Sequence, residues 1–319
     1  MRLSDRTRLV RWPELGIALV PVGLALVAGL NGTPPAQAQT YSVLHTFAGA
    51  DGANPSAGLI GDPAGNLYGT TYYGGGGNCG NQIGNGGVII LPCGVVFKLD
   101  PAGNATVLHA FSESDGGNPN GGLLRDSAGN LYGTTVNGGA GRGCSYGCGA
   151  VFKLDTAGNE TLLHSFTGTP NDGGGAFPNS GLIWDPALGL CGTASVGGAY
   201  QDGLVFTLDP AANGFSVLYT FMGSDGKLDW RQPNAGLIQD PAGNLYGTTY
   251  EGGSTACSLG CGVVFELDSA GNETVLHSFS GPDGEHPSIQ RVKGVRQNAT
   301  ILGTSHGPRP RRPPAVQSQ

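Results

Sequence analysis

The stretch Asn66–Thr71 reads NLYGTT, and it returns at Asn130–Thr135 and at Asn244–Thr249. A worn copy, GLCGTA, stands at Gly189–Ala194. Around each copy lies one longer phrase: GLIxDxxGNLYGTT, a loop, GVVFKLDxxGNxTVLHSF, then a second loop. The chain is therefore a tandem array with a period of about 55 residues, and that period decides the architecture. It does not decide the chemistry.

One repeat resolves into four short strands. In the first copy these are strand a at Gly58–Asp62, strand b at Asn66–Thr71, strand c at Gly94–Asp100 and strand d at Thr106–Phe111. They are rich in Val, Leu, Phe, Tyr and Thr, which suit a pleated surface. The a–b and c–d joints are alike: Asp62–Asn66 and Asp100–Asn104 both read DPAGN. Asp accepts backbone hydrogen bonds, Pro presets φ at the first corner, and Gly supplies positive φ, so both joints are tight turns. The same logic recurs at Asp126–Asn130, Asp155–Asn159, Asp240–Asn244 and Asp268–Asn272.

The remaining joints are long and variable. The b–c loops run over 72–93, 136–148, 195–202 and 250–261, and the d–a loops over 48–57, 112–121, 167–180 and 222–235. Each d–a loop carries an Asp-Gly, at Asp51, Asp115, Asp172 and Asp225, and a fifth follows at Asp283. Four antiparallel strands per repeat describe a propeller blade, so the expected fold is all-β. The complete blades are 58–111, 122–166, 181–221 and 236–279. Blades stack face to face, so both faces of a strand should be apolar. Strand c obeys, with Val95, Phe97 and Leu99 on one side and Val96 on the other; Lys98 is the exception. Tyr41–Phe47 (YSVLHTF) reads as an isolated strand d. Its partners in a closing blade should come from 287–304, where no GVVF strand is present.

Composition narrows the class. The 319 residues include 59 Gly and 21 Pro, yet only 12% are charged, and the glycines recur beside apolar runs, which argues for order. Residues 39–288 hold six Lys/Arg against 21 Asp/Glu. So acidic a surface disfavours nucleic acid, whose phosphates need cationic partners. The first 38 residues read as a secretory signal peptide: Arg2, Arg6, Arg8 and Arg11, then apolar Leu15–Leu30, then Ala36-Gln37-Ala38. Cleavage is expected after Ala38. An N-terminal membrane anchor is the alternative, but the apolar run is short for a span and contains Pro21. No membrane span is expected after signal removal. Residues 289–319 turn basic and Pro-rich and read as a degenerate, poorly ordered tail.

The repeats resemble the GloVer tandem repeat of choice-of-anchor secreted bacterial proteins. The resemblance rests on GLIxDxxGNLYGTT and GVVFKLDxxGNxTVLHSF and covers about 41–288. It implies a secreted, propeller-like array, often tethered by an interchangeable C-terminal sorting signal; no such anchor is recognisable here. It carries over neither a catalytic residue nor a ligand.

Candidate chemistry is sparse. Cys79 and Cys93 bracket the longest b–c loop, and Cys144/Cys148 and Cys257/Cys261 share that loop in two other blades. The shortest b–c loop has no cysteine, which favours local disulfide staples in an oxidising compartment over a zinc site assembled from both Cys-x3-Cys pairs. Cys191 replaces the strand-b tyrosine and should be a buried thiol. His45, His109, His164 and His277 share one position in strand d, where the remaining blade has Tyr219. A residue repeated in every blade is explained by packing. The Asp-Gly sites could offer calcium carboxylate and carbonyl oxygens, but turn formation is the simpler reading. Asn104, Asn159 and Asn272 form N-x-T sequons that coincide with turn asparagines.

Connectivity predicts two unlike ends. The a–b and c–d turns must collect at one end of the strands and the long loops at the other. The long-loop end carries Tyr72, Tyr73, Tyr146, Tyr200, Trp230 and Tyr250, which form the expected ligand-binding face. The turn end should offer little room for a pocket. The leading expectation is a secreted binding or structural propeller with an extracellular glycan or protein ligand and no cofactor. The alternative is a carbohydrate-active hydrolase or lyase using loop carboxylates among Glu113, Asp115, Asp202, Asp229 and Glu251.

Overall fold

The computed structural model describes residues 41–287, apart from 78, 80, 85–86, 91–92, 170–173, 213 and 223–231. The signal segment 1–38, the tail 289–319 and the expected closing strands lie outside the described residues, as do Asp172, Asp225, Asp229 and Trp230. The described residues contain strands and turns and no helix. They split by contact into a short N-terminal unit ending at Val43 and a main unit from Leu44 onward.

Four successive sheets make up the main unit, each with four antiparallel strands in chain order. The first contains β1 (Ile60–Gly61), β2 (Leu67–Thr71), β5 (Val95–Leu99) and β6 (Ala105–Ala110). The second contains β7 (Leu124–Arg125), β8 (Leu131–Thr135), β9 (Ala150–Leu154) and β10 (Glu160–Ser165). The third has β12 (Ile183–Asp185), β13 (Gly189–Ala194), β15 (Leu204–Asp209) and β16 (Gly214–Thr220). The fourth has β17 (Ile238–Gln239), β18 (Leu245–Thr249), β19 (Val263–Leu267) and β20 (Glu273–Ser278). These are the blades of a β-propeller. Two small pairs lie in the long joints: β3 (Asn81–Gly84) with β4 (Gly87–Ile90), and β11 (Gly175–Ala176) with β14 (Val196–Gly197).

The core lies between blades. Val95, Phe97 and Leu99 gather with Phe47 and Leu67, whereas Val96, on the opposite face of the same strand, joins Phe111, Leu123 and Phe152 of the next layer. The pattern repeats, with Val151 beside Phe206 and Leu208, and Val205 beside Phe265 and Leu267. A phenylalanine ladder runs through these layers. Phe47 meets Phe97 edge-on at 4.9 Å, Phe111 meets Phe152 at 5.0 Å, Phe166 meets Phe206 at 5.3 Å, and Phe221 meets Phe265 at 5.2 Å. Each buried ring contributes about 1.5–3 kcal/mol through area removed from water.

NLYGTT can be decoded residue by residue. Asn66 closes the turn by donating from Nδ2 to Asp62 Oδ2 at 2.8 Å, and Leu67 enters the core. The Tyr68 hydroxyl donates to the same carboxylate oxygen. Gly69 lies under a ring, for a Cβ there would stand 2.7 Å from Phe97 Cζ. Thr70 reaches the next blade, donating to the Gly121 carbonyl, and Thr71 donates to the Tyr73 carbonyl of its own loop. Later blades reproduce the inter-blade bond: Thr134 to Ser180 at 2.7 Å and Thr193 to Ala235 at 3.2 Å.

Two readings need correction. Tyr41–Phe47 forms no strand, because strand d exists only by pairing with a strand c, and this segment has none among the described residues. Phe47 nevertheless takes the strand-d place in the ladder. The joint 72–93 is not loop throughout, since it contains the β3–β4 ribbon. Strand d is also irregular: Phe97 pairs with Val107 but Val96 with His109, leaving Leu108 as a bulge, and every blade shifts register at this place. A bulge inserts one residue and re-aims the side chains beyond it.

Candidate functional site

The two ends of the blades differ as their connectivity requires. At one end stand the aspartate turns. Asp62 Oδ1 accepts the amides of Ala64 and Asn66, both at 2.9 Å, and Oδ2 accepts Asn66 and Tyr68. Asn66 first, together with the other donors, pulls the Asp62 carboxyl down to about 2. Asp126 and Asp240 hold the corresponding Asn and Tyr side chains. In the c–d turns the sequon asparagines Asn104, Asn159 and Asn272 donate from Nδ2 to Asp100, Asp155 and Asp268.

At the other end the two kinds of long loop are stitched together. Ala53 and Tyr73 exchange backbone hydrogen bonds at 2.7 and 3.0 Å; Asn137 donates to Gly117, β11 pairs with β14, and Tyr250 donates to Gln232. A non-glycine residue with positive φ precedes the proline of every d–a joint: Asn54 at 56°, Asn118 at 56°, Phe177 at 56°, Gln232 at 61° and His286 at 53°. Such backbone costs energy and persists only where its surroundings over-determine it. Here the amides of Asn118, Phe177, Gln232 and His286 donate to the carbonyls of Cys93, Cys148, Asp202 and Cys261. Each following proline packs on the glycine that opens strand c, as Pro178 does on Gly149.

The staples lie in this end. Cys79 is bonded to Cys93, Cys144 to Cys148, and Cys257 to Cys261, while Cys191 is free and buried. Desolvation pushes the Cys191 thiol up to about 12. The repeated histidines tie strand d to its loop. His45, His109 and His277 approach Asp51, Asp115 and Asp283 at 2.7, 3.1 and 3.0 Å, and each ring lies edge-on to the phenylalanine two residues on. The same aspartates accept the backbone amides of Ala48, Ser112 and Ser280. They act as turn formers, and among the described residues no group of three or more His, Cys, Asp or Glu side chains could hold a metal ion.

The aromatic residues of the loop end are spread over several blades. Tyr72 and Tyr73 meet edge-on at 4.7 Å, and Tyr250 stacks on His286 at 4.3 Å. Tyr146, between two bonded cysteines, and Tyr200 are exposed. Trp230 lies outside the described residues. Of the loop acids, Asp115 is engaged by His109 and Ser112, and Glu251 is buried.

The turn end carries a shallow, open depression. Its volume is about 420 Å³, and it lies between blades three and four, against Asp185, Leu188, Gln239 and Asp240. Tyr68 and Tyr132 pack into the equivalent layers between earlier blades. Cys191 occupies that position here, fully buried in the layer between blades three and four. Gln239 donates to Asp185 Oδ2, replacing the missing tyrosine hydroxyl. Trp184, unremarked in the sequence, is half exposed beside this turn.

Similar solved structures include TolB from Acinetobacter baumannii (15% identity, TM-score 0.35, covering 62% of this chain and 41% of that one). A luciferin-regenerating enzyme matches at 14% identity and TM-score 0.38, covering 74% and 78% of the two chains. A gluconolactonase from Xanthomonas campestris matches at 15% identity and TM-score 0.34, covering 75% and 79%. The chain thus spans under half the length of the TolB chain it matches. No curated protein matches. Repeat, turn and ladder together agree with a family model that matches residues 33–183 and 83–308: the chain belongs to the Gloeobacter/Verrucomicrobia repeat family.

Proposed function

We propose that this protein is an exported binding propeller whose long-loop end engages an extracellular ligand, a glycan or another protein. One observation carries the reading: long loops of differing lengths are braced against one another at a single end, over a scaffold whose other end is built from repeated aspartate turns. Variable loops on a rigid frame are where binding function concentrates. Three disulfides in the described residues suit an oxidising compartment, and the segment 1–38 reads as an export signal. No helix among the described residues is long and apolar enough to cross a membrane.

The test is a glycan and peptide array probed with purified protein, with parallel detection of reaction products. Binding without turnover, weakened by Tyr250→Ala or Trp230→Ala and unchanged by substitutions at Ala64 or Ala102, is the expected result. Turnover of any arrayed substrate would overturn it.

A further inference from the structure

The innermost strands of neighbouring blades converge at the loop end. A Cβ at Gly181 would stand 2.7 Å from the Gly122 carbonyl oxygen, and one at Gly121 would stand 2.6 Å from the Gly181 nitrogen, so successive strand-a lead-ins touch backbone to backbone. One residue follows the proline of each lead-in: Ser56, Asn120, Asn179 and Asn234. Asn179 Nδ2 donates across the blade boundary to Asn234 Oδ1 at 3.2 Å, and to Ser195 Oγ at 3.3 Å in its own blade. These residues thus form an arc at the convergence of the blades.

The arc has unused hydrogen-bonding capacity. The Asn120 carboxamide makes no hydrogen bond among the described residues, and Ser56 Oγ is buried without a partner among them. A buried polar atom left unpaired is costly and calls for an explanation. Each carboxamide offers two donors and an acceptor with two lone pairs. Aromatic residues border the arc. Ser195, which accepts from Asn179, is the residue directly after strand b, and Tyr72 and Tyr250 hold that place in blades one and four. Tyr250 is 36% exposed.

We propose that this arc is a binding site for a neutral saccharide. The inference rests on the loop-end reading and specifies its ligand class. Carboxamides supply donors and acceptors side by side, which matches the paired hydroxyls of a sugar. Flat aromatic faces match its C–H surface. The arc itself contains no carboxylate, as a calcium site would need, and no Lys or Arg for an anionic ligand.

The experiment is calorimetric titration of the full chain with cellohexaose, xylohexaose, mannohexaose and maltohexaose. At least one should bind, with Asn120→Ala lowering the affinity about tenfold, the scale of one or two lost hydrogen bonds. Asn120 has no described partner to lose, so this variant should melt like the parent, and Asn234→Ala provides a second reading. Asn104→Ala, in a turn at the far end, should bind as the parent does. Equal affinity of parent and Asn120→Ala would overturn the arc. So would saturable binding of calcium alone that is lost in Asn120→Ala. Failure of all four hexasaccharides, alongside an array ligand whose binding is lost in Tyr146→Ala, would reject the saccharide and keep the loop end. Saccharide binding lost in Asn104→Ala but not in Asn120→Ala would reject both.

Discussion

The Tyr68 hydroxyl donates to Asp62 Oδ2 at 2.9 Å, so the strand that opens NLYGTT is fastened to the turn that precedes it. The same aspartate closes the turn itself, through Ala64 and Asn66. Turn and strand are thereby one unit, copied at Asp126/Tyr132 and Asp240/Tyr246.

Acid should therefore weaken the fold. The folded Asp62 carboxyl lies near 2, below its ordinary 3.8, and Asp100, Asp155 and Asp268 shift the same way, first through their turn asparagines. A depressed carboxylate stabilises the fold fully above the unfolded value, and that stability is lost as pH falls toward the folded one. Melting temperature should be level from pH 7 to pH 5 and fall steeply between about 4 and 2. A melting temperature that holds through that lower window in a pH series would contradict the role given to the turns.

Gly133→Ala should destabilise by about 1–3 kcal/mol, the usual cost of overpacking. A Cβ there would stand 2.6 Å from Phe152 Cζ, a ring with no exposed surface and no room to retreat. Denaturant melts compared with Gly76→Ala, where nothing lies within 4 Å of the added atom, measure the difference; Gly76 has φ of 78°, so its own strain sets the baseline.

Disulfide removal should scale with loop length. Opening Cys79–Cys93, 14 residues apart, should cost about 3 kcal/mol, and opening Cys144–Cys148 about 2 kcal/mol, on the loop-entropy estimate. Paired Cys→Ser variants followed by urea denaturation provide the values. Cys191 should resist Ellman's reagent in the folded protein and react once unfolded, being buried with its thiol near 12.

Exported material should begin at Gln39. N-terminal sequencing that returned Met1 would overturn the processing site read from Ala36-Gln37-Ala38.

Much of the fold was legible because the sequence repeats. A turn built on Asp, Gly and Asn is local chemistry, so the DxxGN spacing sufficed to place it, and four copies of strand c marked the four complete blades. The bulge at Leu108 was not legible, since a register shift depends on two strands and shows no composition of its own. Nor was the role of the histidines. His109 and Asp115 are six residues apart, and only the path of the loop brings them together. The bond between Gln239 and Asp185 was hidden for a related reason: the exchange of tyrosine for Cys191 was visible, but the side chain that takes up the vacated hydrogen bond belongs to the next blade.

By itself the sequence determined the four-stranded repeat, the position of its turns and the separation of short joints from long ones, because each follows from the conformational preferences of neighbouring residues. Tertiary structure alone decided which residues meet across blades: Phe111 with Phe152, Thr134 with Ser180, Asn179 with Asn234. Those pairs lie about one repeat apart in the chain. They form only when stacking removes the apolar faces of both blades from water, a free-energy gain that belongs to no single repeat.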